Sequence, residues 1–151
     1  MDKELFFSRD YIVQLNKIPL SQSPSWGVLS LQGMIEHMTD SIGVGWKRIQ
    51  YPLQYPAEII AKSKAFMLSD KPFKPGAKNS LMSETPAPLR CASVSDALTE
   101  LQNEIHHFLN FWKNHPDQTV TNPFFGELTY QEWLHLLHKH AIHHLKQFGI
   151  E

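Results

Sequence analysis

Thr129-Tyr130-Gln131-Glu132-Trp133-Leu134-His135-Leu136-Leu137-His138-Lys139-His140-Ala141-Ile142-His143-His144-Leu145-Lys146-Gln147-Phe148-Gly149 is the stretch that decides the reading of this chain. It opens on a capping-box pattern, in which the Thr129 hydroxyl and the Glu132 carboxylate each satisfy an unpaired amide of a first helical turn. A helix advances about 100° per residue, so with Trp133 as origin Leu137, Ala141 and Phe148 fall within about 80° of it. His140 and His144 lie in the middle of that apolar stripe. His135 and His138 point well away and His143 sits on its edge, so these three read as a solvated face. Two imidazoles one turn apart in an apolar face are costly unless something binds them. A metal ion is the favoured partner, and core histidines satisfied by ordinary hydrogen bonds are the competing reading.

Upstream, Ser93 opens a helix running to about Asn114, with Val94, Leu98, Leu101, Ile105, Phe108, Leu109 and Trp112 on one face. Ser30 caps another to about Ile49, where Leu31, Met34, Ile35, Met38, Ile42, Trp46 and Ile49 keep a spacing of three and four. Residues 57–68 form a further helix. Residues 3–16 form a short amphipathic one anchored by Leu5, Ile12 and Leu15. Residues 69–92 carry Pro72, Pro75, Pro86 and Pro88 without any period and read as a long loop. No segment alternates as a strand does. The expected fold is all-α: a four-helix bundle with an additional short N-terminal helix, in a single domain over residues 1–151.

The chain has 151 residues, 42% of them hydrophobic and 19% charged, with a formal net charge of -1. There is no basic stripe for nucleic acid, no apolar run long enough to span a membrane, and no secretory h-region near Met1. One cysteine, Cys91, gives no disulfide framework. It reads as an inert thiol in a cytoplasmic protein. Nine histidines are the compositional oddity.

Two histidines hold a metal poorly, and a catalytic site of the zinc type usually takes three protein ligands and keeps one position open. His37 is the candidate third ligand. It flanks its own helix's stripe, about 110° from the centre, and taken alone it suits a satisfied histidine better than a ligand. His106 and His107 flank or face away from theirs, and His115 sits at a helix end where a cation is favourable. Gln147, three residues beyond His144, reads equally as a hydrogen-bonding support for the site or as helix-end packing. Trp26, Trp46, Trp112 and Trp133 read as core or cleft aromatics.

Two blocks give the chain a familial likeness. Ser23-Pro24-Ser25-Trp26-Gly27 with Met34-Ile35-Glu36-His37-Met38, and Pro123-Phe124-Phe125-Gly126-Glu127-Leu128-Thr129 with Trp133 and His140 through Gly149, resemble the DinB-like superfamily of four-helix-bundle metalloenzymes. The resemblance implies a three-histidine metal site on His37, His140 and His144. It also implies a divalent transition metal, zinc or nickel first and iron or copper next. Related sequences often place a histidine where this chain has Asn122, ahead of the proline of the Pro-x-Phe-Gly turn.

The implied activity is transfer of a low-molecular-weight thiol to a small-molecule substrate, or its hydrolysis. The absence of an evident general base, Glu36 projecting about 100° from His37, tilts that towards thiol transfer. A non-catalytic metal-binding or dimerising helical protein is the alternative, and a homodimer is an open expectation.

Overall fold

The computed structural model describes residues 1–77, 81 and 85–151; part of the expected 69–92 loop thus lies outside the described residues. The chain is mostly helical with one small sheet: α1 (Lys3–Leu5), a π-helical stretch (Phe6–Asp10), α2 (Tyr11–Asn16), α3 (Leu31–Val44), α4 (Ala57–Leu68), α5 (Val94–Asn114), β1 (Val120–Asn122), β2 (Gly126–Leu128) and α6 (Tyr130–Gln147).

The Ser30 and Thr129 caps fall where the sequence puts them, and Ser93, near which the sequence starts a helix, is a third cap. The Ser30 hydroxyl accepts from the Gly33 N–H, the Ser93 hydroxyl from the Asp96 N–H, and Thr129 and Glu132 complete a reciprocal capping box. Each satisfies an amide that the first turn leaves without a partner. α3 packs most extensively on α5, and α6 contacts α1, α3 and α4. Met34, Ile35, Met38, Ile42, Leu101, Phe108, Trp112, Trp133 and Leu137 form the centre of one continuous core.

Three expectations are corrected. α3 ends at Val44 rather than near Ile49. The chain turns there, with the Arg48 and Ile49 N–H groups both reaching the Gly43 carbonyl and Lys47 at φ 71°. The crossing is tight: a Cβ on Gly45 would stand 2.8 Å from the Phe108 ring, and the Trp112 indole N–H donates to the Gly45 carbonyl at 3.0 Å. Trp46 and Ile49 still pack against the core, from the turn instead of the helix.

The N-terminal helix is interrupted by its π turn, which adds a residue to the turn and rotates the residues of α2 about the helix axis. Phe6, Phe7, Tyr11 and Leu15 are its buried anchors, while Leu5 is exposed.

The third correction is the hairpin. Val120 pairs with Leu128 and Asn122 with Gly126. Each strand has only three residues, too few for alternation to show in sequence. The Asn122 side-chain oxygen accepts from the Phe124 and Phe125 N–H groups, which closes the turn, and Gly126 takes φ 76°. The hairpin rests on the start of α6, where the Trp133 indole donates to the Val120 carbonyl at 3.0 Å.

Candidate metal centre

α3 and α6 bring three imidazoles together. The Nε2 of His140 lies 3.0 Å from that of His37 and 2.9 Å from that of His144, with ring centroids 4.7–5.1 Å apart. Among the described residues, His37, His140 and His144 form the group whose ligand atoms lie within 4.8 Å of one another. His144 is buried, His140 half-buried, and His37 keeps a face towards solvent.

Their protonation suits ligation. Burial, followed by the neighbouring rings, pushes His140 well below the usual histidine range and His144 down to about 3. Burial lowers His37 too, against the pull of Asp40. All three rings are therefore neutral at pH 7, and neutral imidazole is the form that binds metal.

The geometry fits a cation. Nitrogens about 2.0–2.1 Å from a tetrahedral ion lie about 3.3 Å apart, close to the 3.0 and 2.9 Å that separate His140 Nε2 from its two neighbours. A proton shared by neutral rings is a poorer solution. If His140 Nε2 holds the hydrogen it can align with only one neighbour, leaving the other ring's lone pair without a donor, and if it holds the lone pair, two N–H groups compete for one acceptor.

The surroundings of the triad are ordered. His144 Nδ1 lies 2.7 Å from Gln147 Oε1, and Gln147 Nε2 donates to the Trp26 carbonyl at 2.8 Å. The Trp26 and Phe73 rings stand 5.4 and 6.3 Å from that of His143, and Phe73 lies 6.3 Å from His140.

Behind His37, the Glu36 carboxylate accepts from the Arg90 N–H at 2.8 Å, the Gln32 amide at 2.9 Å and the Cys91 N–H at 3.3 Å. Burial pushes this carboxyl up, yet those donors and the Arg90 charge together hold it below the usual carboxylate range. Glu36 is thus a clamp on residues 90–91. Asp40, one turn on, pairs with Arg48 at 3.4 Å and Arg90 at 3.1 Å. Burial and the carboxylates of Glu100 and Glu36 raise the Cys91 thiol, which keeps it protonated.

The solvated face assigned to His135, His138 and His143 is overturned, since all three are half-buried. His135 Nε2 faces the Ser69 carbonyl at 3.3 Å, and His138 packs edge-on to Phe6 at 4.8 Å. Helical periodicity missed this because it knows the main core and not a second layer: α1 and the loop after α4 cover that side of α6. Asn122 stays out of the triad, its oxygen spent within its own turn. His106, His107 and His115 remain exposed, with His107 stacked on Trp46 at 5.3 Å. The Arg90 clamp had no signal in the sequence beyond an acidic residue beside His37.

A family model for the DinB superfamily matches residues 13–148, a span that holds all three histidines. This chain belongs to the DinB superfamily. No curated protein and no solved structure matches it. Among the described residues of this DinB-superfamily chain, no helix is long and apolar enough to cross a membrane.

Proposed function

We propose that this chain is a metal-dependent enzyme on a single-domain four-helix bundle of α3, α4, α5 and α6. It transfers a low-molecular-weight thiol to a small-molecule substrate or hydrolyses that substrate. The reading rests on one observation above the others: three neutral imidazole Nε2 atoms from two helices converge with 2.9 and 3.0 Å contacts. His37, His140 and His144 would hold a divalent transition metal, zinc or nickel in the first place and iron or copper next. The bound ion would supply Lewis acidity, lowering the pKa of a thiol or water in its open position.

The chain's own residues do the rest. His37 leaves the site open on its solvent side, and the Trp26, Phe73 and His143 rings flank the α6 pair. The nearest carboxylates in sequence, Glu36 and Asp40, are engaged by Arg90, Cys91, Gln32 and Arg48. Neither is free to take a proton from water, so thiol transfer, which needs no such base, is favoured over hydrolysis. A reducing cytoplasmic setting suits Cys91.

Elemental analysis of untagged protein tests the reading. Near-stoichiometric transition metal is expected in the wild type, and loss is expected in His37→Ala, His140→Ala and His144→Ala with helicity retained. Metal-free wild type would refute it. Chelation separates the non-catalytic alternative: a structural zinc contributes on the order of 10 kcal/mol in small peptides, so its removal would unfold the chain. An open enzymatic site would leave the fold standing.

A further inference from the structure

Gln147 is buried at 3% exposure and uses both ends of its amide. Carbonyl oxygens only accept, so the 2.8 Å contact with the Trp26 oxygen must come from the Gln147 NH2 group. That fixes the orientation of the amide and leaves Oε1 towards His144 Nδ1 at 2.7 Å. Oε1 cannot donate, so the hydrogen of that contact belongs to the imidazole. The neutral ring of His144 then carries its proton on Nδ1 and its lone pair on Nε2, the atom that faces His140.

We propose that Gln147 is the positioning residue of the histidine site: it sets the tautomer of His144 and aims its Nε2 lone pair at the point where the three rings meet. A neutral imidazole free in water prefers the opposite tautomer, so the site needs such a device to be ready for a ligand. The support is itself held. The Gln147 backbone carbonyl accepts from the Ser25 N–H at 2.7 Å, which grips residues 25–26 by main chain and side chain together. Gly27 follows at φ +77°, and a Cβ there would stand 3.1 Å from Gln147 Nε2. The loop before α3 thus closes over the amide that orients a residue of α6. The proton placement stands on the hydrogen-bond geometry alone; its consequence for affinity rests on the metal reading above.

The test uses the full chain freed of metal with a chelator, long-range ¹H–¹⁵N spectra of the imidazoles, and titration with Zn²⁺ against a chromophoric chelator. In the wild type, His144 is expected to show a protonated Nδ1 and a bare Nε2; a protonated Nε2 overturns the proposal outright. Gln147→Leu is expected to lose that signature and to bind Zn²⁺ about 10–100-fold more weakly. Unchanged tautomer and affinity in this variant would overturn the proposal.

Gln147→Glu keeps an acceptor for Nδ1–H but loses the donor to the Trp26 carbonyl, so it is expected to keep the tautomer signature and to bind Zn²⁺ more tightly than Gln147→Leu though less tightly than wild type, whereas packing alone would leave the two variants alike. Should Gln147→Leu fail to fold, the wild-type spectrum and Gln147→Glu decide. Wild type with the expected tautomer and no Zn²⁺ binding would support the proton placement while refuting the metal reading, so the two failures are distinguishable.

Discussion

Replacing Glu36 with glutamine removes one charge and changes no volume, yet it should be among the most damaging single changes in the chain. The carboxylate is 4% exposed and meets donors only: the Arg90 N–H, the Cys91 N–H and the Gln32 amide, with the Arg90 guanidinium at 4.0 Å. A glutamine can still accept on Oε1 from one side. Its NH2 group must then face a donor at close range. One buried donor left without an acceptor costs about 1–3 kcal/mol, and the surviving bonds lose the strengthening that the charge gave them.

Destabilisation of about 2–4 kcal/mol is therefore expected for Glu36→Gln, measured by urea unfolding at pH 7. In a chain of this length that corresponds to roughly 5–15 °C in Tm. Metal content should be unchanged in the folded variant, because the carboxylate is turned towards residues 90–91. A Glu36→Gln protein within about 0.5 kcal/mol of wild type would refute the clamp, and loss of metal without loss of stability would make Glu36 part of the site instead.

Other perturbations have worked-out signs. In metal-free protein, the folded-state pKa of His144 sits near 3, below its ordinary 6.5. The unfolded chain therefore binds the proton more readily, and stability present above pH 6.5 drains as pH falls; by pH 5 this residue alone removes about 2 kcal/mol. Urea titrations of wild type and His144→Leu at pH 7 and pH 5 check it, and equal losses would contradict it. Thr129→Ala deletes the hydroxyl that accepts from the Glu132 N–H and should cost about 1 kcal/mol, read from the same unfolding curves. Gly27→Ala forces a side chain into the left-handed region against Gln147 and should cost about 1–2 kcal/mol, with weaker Zn²⁺ retention in the chelator assay. Free Zn²⁺ at a hundredfold excess over its Kd should stabilise the wild type by about 2.7 kcal/mol, and an unmoved unfolding midpoint would count against a site in the folded state.

What could be read from the sequence was whatever one helix decides for itself. The capping box at Thr129, the Ser30 cap, the extents of α4 and α5, and the inward direction of His140 and His144 all come from spacing and local hydrogen bonding. His37 lay beyond that reach. Its own helix places it at the flank, where it remains solvent-exposed, and only the packing of α3 beside α6 brings its ring 3.0 Å from His140. The early end of α3 was hidden for a similar reason. Ile42, Trp46 and Ile49 keep a helical spacing, but the Arg48 and Ile49 N–H groups turn back to the Gly43 carbonyl, in a turn where Gly45 leaves no room for a side chain beside Phe108 and Trp133, residues far away in sequence.

The five histidines of α6 show the same division within eighteen residues. They form three sets. His140 and His144 face α3, where they meet His37. His143 meets the Trp26 and Phe73 rings, at 5.4 and 6.3 Å. His135 and His138 are covered by the end of α4 and by Phe6. A cluster dense in sequence is thus dispersed around the helix by its 3.6-residue turn, and the histidine triad is completed from 103 residues away. The histidines outside the triad gain importance from the segments lying over them. Lys139 adds to this by donating to the Ser69 and Lys71 carbonyls at 2.8 and 2.6 Å, with its ammonium 5.6 Å from the Phe73 ring. It thereby holds the approach to Phe73 against α6. If the proposed enzymatic reading holds, substrate selection would depend on the loops that carry Trp26 and Phe73 more closely than on the three histidines, whose geometry α3 and α6 hold between them.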